Sequence, residues 1–267
     1  MARTKTKNVK AVIAPVVNGR AVRAVGLIVA ALLAGQALVL WWVARGGRLP
    51  LHVSYATNDS LMTKLTGTNV TAPAVHQIGT VSLTALLISL LIVIGALIAL
   101  QVTGTLNKLL RGRINEQRTT WLIIAAAAAG LLVITNLLAG DYDVRNLLLI
   151  ILVGFGATVA GLHATMVGIG GKRRAMYVAV AAVPWLWVLW TLSASSMYGT
   201  MHALGAVWLL LLTSVVGIKL AGLHIWLAQR GYKQWANGTL AAAGPSVILL
   251  IAESAFVWQV FAAFLHG

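Results

Sequence analysis

A glutamate and a lysine lie inside otherwise apolar stretches of this chain, and they are the first candidates for chemistry. Glu253 lies in the stretch 240–265, and Lys219 lies in the stretch 203–228. A lone charge in the middle of a membrane costs about 3 kcal/mol or more, so an acid and a base at similar depth favour pairing. We predict that Lys219 and Glu253 form a buried ion pair or a hydrogen-bonded neutral pair. In the alternative interpretation, Lys219 extends its amine towards the inner surface and Glu253 is simply protonated.

Other residue types offer little chemistry. The chain has no cysteine, which excludes disulfides and Cys-based metal sites. Of the six histidines, His163 and His224 lie towards the inner ends of two spans, where a pair of histidines can ligate haem. We favour interfacial residues with satisfied hydrogen bonds, because these two spans are not neighbours in a seven-helix ring. We find no zinc-site spacing, nucleophile–base pair or phosphate-binding loop, so we expect neither a bound metal nor an enzyme.

Seven apolar stretches must position these residues. The chain is 60% hydrophobic and only 9% charged, whereas a soluble domain carries about 25% charged residues. Each stretch has about 20 residues or more, enough to cross the hydrocarbon core as a helix. We therefore predict an all-α membrane protein with seven transmembrane helices in a single domain, 1–267. The predicted spans are 24–43, 78–102, 120–139, 147–167, 176–195, 203–228 and 240–265.

Basic residues predict the orientation. With the N-terminus in the cytosol, 15 Lys and Arg residues fall in inner segments and 4 fall in outer loops, a strong positive-inside signal. The inner set is Arg3, Lys5, Lys7, Lys10, Arg20, Arg23, Lys108, Arg111, Arg113, Arg118, Lys172, Arg173, Arg174, Arg230 and Lys233; the outer set is Arg45, Arg48, Lys64 and Arg145. We predict a multi-pass protein of the cell membrane with an extracellular C-terminus. The segment 1–23 is read as a retained cytoplasmic segment, since it lacks the apolar core of a signal peptide.

The net charge of +15 would indicate nucleic-acid binding in a soluble protein. Here the basic residues flank apolar stretches, so we interpret them as topology signals and contacts for anionic lipid heads, with no nucleic acid. The first outer loop, 44–77, is the longest. Its β-prone runs His52–Tyr55 and Thr66–Thr71 predict an exposed hairpin. The remaining loops are short, so consecutive helices should pack as antiparallel neighbours.

The last span carries a family resemblance. It reads Ala252-Glu253-Ser254-Ala255-Phe256-Val257-Trp258-Gln259-Val260-Phe261, and the loop Arg230-Gly231-Tyr232-Lys233-Gln234-Trp235 precedes it. Both resemble the heliorhodopsins, an inverted seven-helix family whose last helix has an Ala-x-Ser-Ala-x-x-Trp-Gln-x-Phe frame. Shorter matches are Pro184-Trp185, Trp121 with Asp143, and Gly154 with Ala157-Thr158. The resemblance implies a rhodopsin-like bundle that dimerises through the membrane face and the outer hairpin.

The chain departs from the family at the residues that bind retinal. The lysine that forms the Schiff base falls on Glu253, and the counter-ion glutamate falls on Ile123. A carboxylate cannot form an imine, because that chemistry needs a primary amine. The intramembrane histidines of the first two family helices are also missing. We therefore expect no covalently bound retinal and no other cofactor, and an imine on Lys219 is disfavoured because only Glu253 could replace the counter-ion.

Aromatic residues mark the predicted pocket. The resemblance places Trp185 and Trp208 near the retinal cavity, and Trp121, Thr213 and Trp258 are further candidates for its wall. In the alternative, bulky side chains fill an emptied pocket. Pro184 should kink the fifth span, and Pro245 should open the seventh.

The functional prediction is a signalling or scaffold protein that binds a partner protein or a small apolar ligand. A cytosolic partner or anionic lipid would dock at Lys172–Arg174 and at Lys108–Arg118. We expect a homodimer from the resemblance. The alternatives are a proton or ion pathway through Glu253 and Lys219, and a photoreceptor with a non-covalent chromophore.

Overall fold

Among the residues that the structure describes, seven helices are long and apolar enough to cross a membrane, as predicted. The computed structural model describes residues 19–44, 46–109, 116–166, 171–197, 204–232, 235 and 237–266. The seven long helices are α1 (Gly19–Val43), α3 (Leu83–Val102), α5 (Glu116–Leu138), α6 (Val144–Met166), α7 (Gly171–Met197), α8 (Leu204–Gln229) and α9 (Gly238–Val260). The short elements are β1 (Arg48–Asn58), α2 (Ser60–Thr66), β2 (Thr71–Ser82), α4 (Thr105–Leu109) and a π-helical turn, Phe261–Leu265.

The predicted hairpin is present, but its second strand lies further along the chain than predicted. β1 and β2 pair antiparallel from Arg48↔Ser82 to Asn58↔Thr71, with an irregularity between Leu51 and His52. Most of the predicted run Thr66–Thr71 instead follows α2, whose first turn is capped by the Asp59 carboxylate. We call the end of the bundle that carries this hairpin the hairpin end.

Two predicted span starts are corrected by capping. The second span was predicted to begin at Ile78, but 78–82 belong to β2, and α3 begins after Ser82, whose hydroxyl accepts from the Ala85 amide at 3.2 Å. Likewise, Asn237 caps α9 by accepting from the Thr239 amide at 3.0 Å. Pro245 therefore lies inside α9 and does not open it. Arg20 and Arg23 lie within α1 rather than before it, while 1–18 fall outside the described residues.

The long helices form a ring in the order α1, α3, α5, α6, α7, α8, α9, with α9 closing against α1. α5 also contacts α7, α8 and α9, so it lies towards the inside of the ring. Most of its alanine run, Ala125–Ala129, is buried, and these short side chains let the neighbouring helices approach closely. Gly95 likewise allows α3 and α1 to approach closely, since a Cβ added there would lie only 3.3 Å from the Ala30 carbonyl oxygen.

Gly217 lies at a close contact between α8 and α9. A Cβ added at Gly217 would overlap the Cβ of Ala252, so only glycine fits at this crossing. We expect Gly217→Ala to lower the free energy of unfolding by about 1–2 kcal/mol, because overpacking forces the two helices apart. Thermal unfolding in detergent, followed by tryptophan fluorescence, measures the loss.

The matched control is Gly156→Ala in α6, where an added Cβ meets nothing within 4 Å. This variant should be neutral or slightly more stable, because alanine is a better helix former than glycine. Equal melting temperatures for the two variants would contradict the close approach of α8 and α9.

Candidate functional site

The rotation of α9 directs Glu253 into the bundle. Its predecessor Ala252 packs against Gly217 of α8, and its successor Ser254 accepts a hydrogen bond from the Gln36 side chain of α1 at 2.8 Å. Successive helical residues are about 100° apart, so Glu253 points between the directions of α8 and α1, towards the interior. Its side chain is 0% exposed, and neither carboxyl oxygen has a hydrogen-bond partner among the described residues.

Lys219 lies on the opposite side of α8, where its side chain is exposed. It belongs to a row of exposed residues spaced three or four apart, which we call the outer stripe: Trp208, Leu212, Val216, Lys219 and Leu223. The buried side of α8 carries Leu210, Ser214, Gly217, Ala221 and His224. Because Lys219 follows Gly217 by two residues, it is rotated by about 200° from the contact with α9.

The predicted ion pair between Lys219 and Glu253 is therefore wrong. The two residues do lie at similar depth. Lys219 is two residues beyond Gly217 and Glu253 is one residue beyond Ala252 on the antiparallel helix, so about 5 Å separates them along the bundle axis. Their directions differ, because Glu253 points into the ring and Lys219 points away from it. Among the described residues, the two groups therefore do not interact.

The position that corresponds to the family's counter-ion is apolar and buried. Ile123 lies on α5, which packs against α9, and its side chain is 2% exposed. Two residues earlier, Trp121 is 3% exposed, and its indole nitrogen has no acceptor among the described residues. No acidic residue occurs between 117 and 140 in the sequence, so the membrane-spanning part of α5 offers no anion to the interior.

The predicted pocket residues divide into three groups by their exposure. Trp121 and Trp185 are buried in the bundle, while Thr213 and Trp258 are half-buried. The Thr213 hydroxyl donates to the Gln259 side chain at 3.0 Å, which links α8 to α9. Trp208 is 40% exposed and lies on the outer stripe, so its predicted place in the pocket wall is wrong.

His224 is the buried histidine of α8, and it is hydrogen-bonded. Its Nε2 lies 3.1 Å from the Leu240 carbonyl oxygen, and its ring meets the Trp235 ring edge-on at 4.7 Å. Gly244 leaves the space that the imidazole occupies, since a Cβ there would overlap the ring. The side chain of His163, its suggested partner for haem, lies outside the described residues, as does His202.

A polar contact at the hairpin end was missed in the sequence. The Asp143 carboxylate accepts from the Ser54 amide of β1 at 3.2 Å and from the Arg145 amide at the start of α6 at 2.9 Å. Beside it, the His52 amide donates to the Tyr142 carbonyl at 2.9 Å. These contacts attach the hairpin to the α5–α6 turn. A sequence gives little signal for them, because Asp143 and Ser54 are distant along the chain.

Hydrogen bonding, chiefly from the Ser54 side chain, lowers the pKa of Asp143; partial burial opposes this, while the backbone amides and Arg145 reinforce it. A lowered pKa means that this attachment is fully present above about pH 4 and is lost as the pH falls through the lowered pKa. We expect Asp143→Ala to weaken the attachment by about 1 kcal/mol, since solvent reaches the half-buried carboxylate and screens it. Pepsin digestion measures it as faster hairpin cleavage in the variant at pH 5, and this difference should shrink as the pH falls to 2.

The matched control for this experiment is Asp59→Ala, which removes the cap of α2 but leaves the attachment of β1 intact. It should leave cleavage of the β1 segment unchanged. Cleavage of β1 that is equally slow in Asp143→Ala and the unmodified protein would contradict a role for Asp143.

The ring of seven long helices and the strand pair next to the first helix define a rhodopsin-like membrane protein. The chain belongs to the heliorhodopsin family, because the model of that family matches residues 22–265, from α1 to the end of the π-helical turn. Comparison with curated proteins gives no match. The resemblance predicted from the last span is thus confirmed for most of the chain.

Proposed function

We propose that this protein is a heliorhodopsin-family member that does not bind retinal covalently and that acts as a membrane signalling or scaffold component. The observation that carries the proposal is the direction of two side chains in the middle of the bundle, Glu253 and Lys219. The side chain of Glu253 points into the bundle and carries a carboxyl group instead of an amine. The side-chain amine of Lys219 faces away from the interior. An imine needs a primary amine within reach of the aldehyde, and Lys219 is turned away from any ligand inside the ring.

The apolar character of Ile123 supports the same proposal. A protonated imine in an apolar interior needs a nearby anion, and the counter-ion position holds a buried isoleucine. Glu253 itself could supply an anion only for an amine that points towards it. The loss of the amine and of its counter-ion therefore fits one change in function.

A small apolar ligand is the second part of the proposal. The Glu253 carboxyl is fully buried without a partner among the described residues. A charge buried there would be costly, so we infer that the group is an uncharged acid, which can both donate and accept a hydrogen bond. Such a group suits the polar end of an otherwise apolar ligand.

The basic residues support the proposed orientation and partners. Lys108 and Arg118 lie at the end of the bundle opposite the hairpin, and we propose that this end is cytoplasmic. We further propose that this surface binds anionic lipid heads or a cytosolic partner protein, and that the chain forms a homodimer, as the resemblance implies. The side chains of Lys172–Arg174 and residues 110–115 lie outside the described residues.

Retinal reconstitution tests the proposal. We expect the purified protein, incubated with all-trans-retinal and treated with borohydride, to show no mass increase and no visible band that survives denaturation. A lysine-bearing family member treated in parallel is the positive control. A pigment that remains attached after denaturation would overturn the proposal. A band that is lost on denaturation would favour the photoreceptor with a non-covalent chromophore.

A proton pathway through both residues is not favoured, because Lys219 and Glu253 do not face a common space. A proton flux in vesicles that disappears in Glu253→Gln would favour this alternative over a signalling role.

A further inference from the structure

Lys219 is a charged residue in the middle of an apolar surface. It lies ten residues from the end of α8 and fifteen from its start, which places it about 15 Å and about 22 Å from the two ends of the helix. The rest of the outer stripe consists of Trp208, Leu212, Val216 and Leu223. Within the described part of the chain, no ion pair or hydrogen bond involves Lys219.

The Lys219 side chain is badly placed to extend its amine to a membrane surface. The nearer surface lies towards the C-terminal end of α8, whereas the Cα–Cβ bonds of a helix tilt towards its N-terminal end. The four-carbon stem of lysine is also short compared with the distance of about 11 Å to the edge of a ~30 Å hydrocarbon core centred on α8. Ionisable residues at this depth normally face the bundle interior or pair with another charge.

A second copy of this chain cannot provide the opposite charge. The acids of the chain are Asp59, Glu116, Asp141, Asp143 and Glu253. The first four lie outside the membrane-spanning cores or at a helix start. Glu253 lies at the right depth, but it is 0% exposed and enclosed by its own bundle. An acid that meets Lys219 must therefore belong to a different protein.

We propose that the outer stripe of α8 binds a membrane-spanning helix of another protein, and that this helix carries an acidic side chain at mid-membrane depth opposite Lys219. Charge complementarity selects the acid, and the apolar residues of the stripe pack against the partner helix. The inference goes beyond the proposed function, because it holds whether or not the bundle interior accepts a ligand.

The test uses synthetic leucine-rich transmembrane peptides, one with a single central glutamate and one with leucine throughout. The full-length protein and a labelled peptide are placed together in phosphatidylcholine vesicles, and energy transfer measures their association. We expect the glutamate peptide to bind about tenfold more strongly than the leucine peptide, as one intramembrane polar contact is worth about 1–2 kcal/mol. Lys219→Leu should abolish this difference, and Lys219→Glu should transfer the preference to a peptide with a central lysine.

A relocated lysine is the matched control. The double variant Lys219→Leu, Leu152→Lys moves the amine to α6, where Leu152 is 71% exposed. The proposal expects this variant not to regain the preference for the glutamate peptide. Equal binding of the two peptides to the unmodified protein would overturn the proposal, as would full recovery in the relocated variant. In parallel vesicles that contain a labelled anionic lipid, enrichment of that lipid around the unmodified protein but not around Lys219→Leu, without a peptide preference, would also overturn it in favour of a lipid headgroup.

Discussion

The double substitution Glu253→Lys, Ile123→Glu is expected to give a protein that binds retinal covalently and becomes coloured. Position 253 points into the ring, and position 123 is buried on a helix that packs against α9. The first substitution provides the primary amine for an imine. The second provides an anion that favours the protonated imine. Absorption spectra before and after denaturation, with borohydride reduction and mass analysis, measure the result.

The single variants separate the two contributions. Glu253→Lys alone should form an imine that remains largely unprotonated, so it should gain mass after borohydride treatment without a strong visible band. Ile123→Glu alone should form no adduct, since no amine faces the interior. If the double variant folds as the unmodified protein does and still binds no retinal, the buried tryptophans Trp121 and Trp185 fill the former pocket rather than lining it.

Glu253→Leu should make the protein more stable, although it alters the most distinctive residue of the bundle. A buried polar group without a hydrogen-bond partner costs about 1–3 kcal/mol, and leucine of similar size removes that cost. Neither carboxyl oxygen of Glu253 has a partner among the described residues. We therefore expect the apparent melting temperature in detergent to rise by several degrees. Thermal unfolding followed by tryptophan fluorescence measures it.

Glu253→Gln is the control, because it keeps the size and the polarity of the side chain and removes only its acidity. It should give little or no gain in stability. A lower melting temperature for Glu253→Leu would contradict the prediction.

The seven spans and the family could be predicted because they depend on local properties. A run of about 20 apolar residues crosses the hydrocarbon core whatever surrounds it. The frame from Ala252 to Phe261 likewise needs no knowledge of contacts. The start of the second span was misplaced because Ile78 and Val81 are apolar but belong to the hairpin, where Val81 pairs with Leu49 and Ile78 lies at the irregularity in the register. Apolar strand residues that continue into a helix cannot be distinguished from the helix by hydropathy alone.

The sequence by itself also determined the depth of Lys219 and Glu253, since depth depends only on how many residues separate each one from the end of its helix. Only the tertiary structure decided their directions. α8 is apolar around its whole circumference, so no amphipathic pattern shows which side faces the ring. The close approach of Gly217 to Ala252 sets that rotation. This rotation turns Glu253 inwards and turns Lys219 and Trp208 outwards. Side chains at equal depth on packed helices meet only when the rotation of both helices points them towards each other, and here it does not.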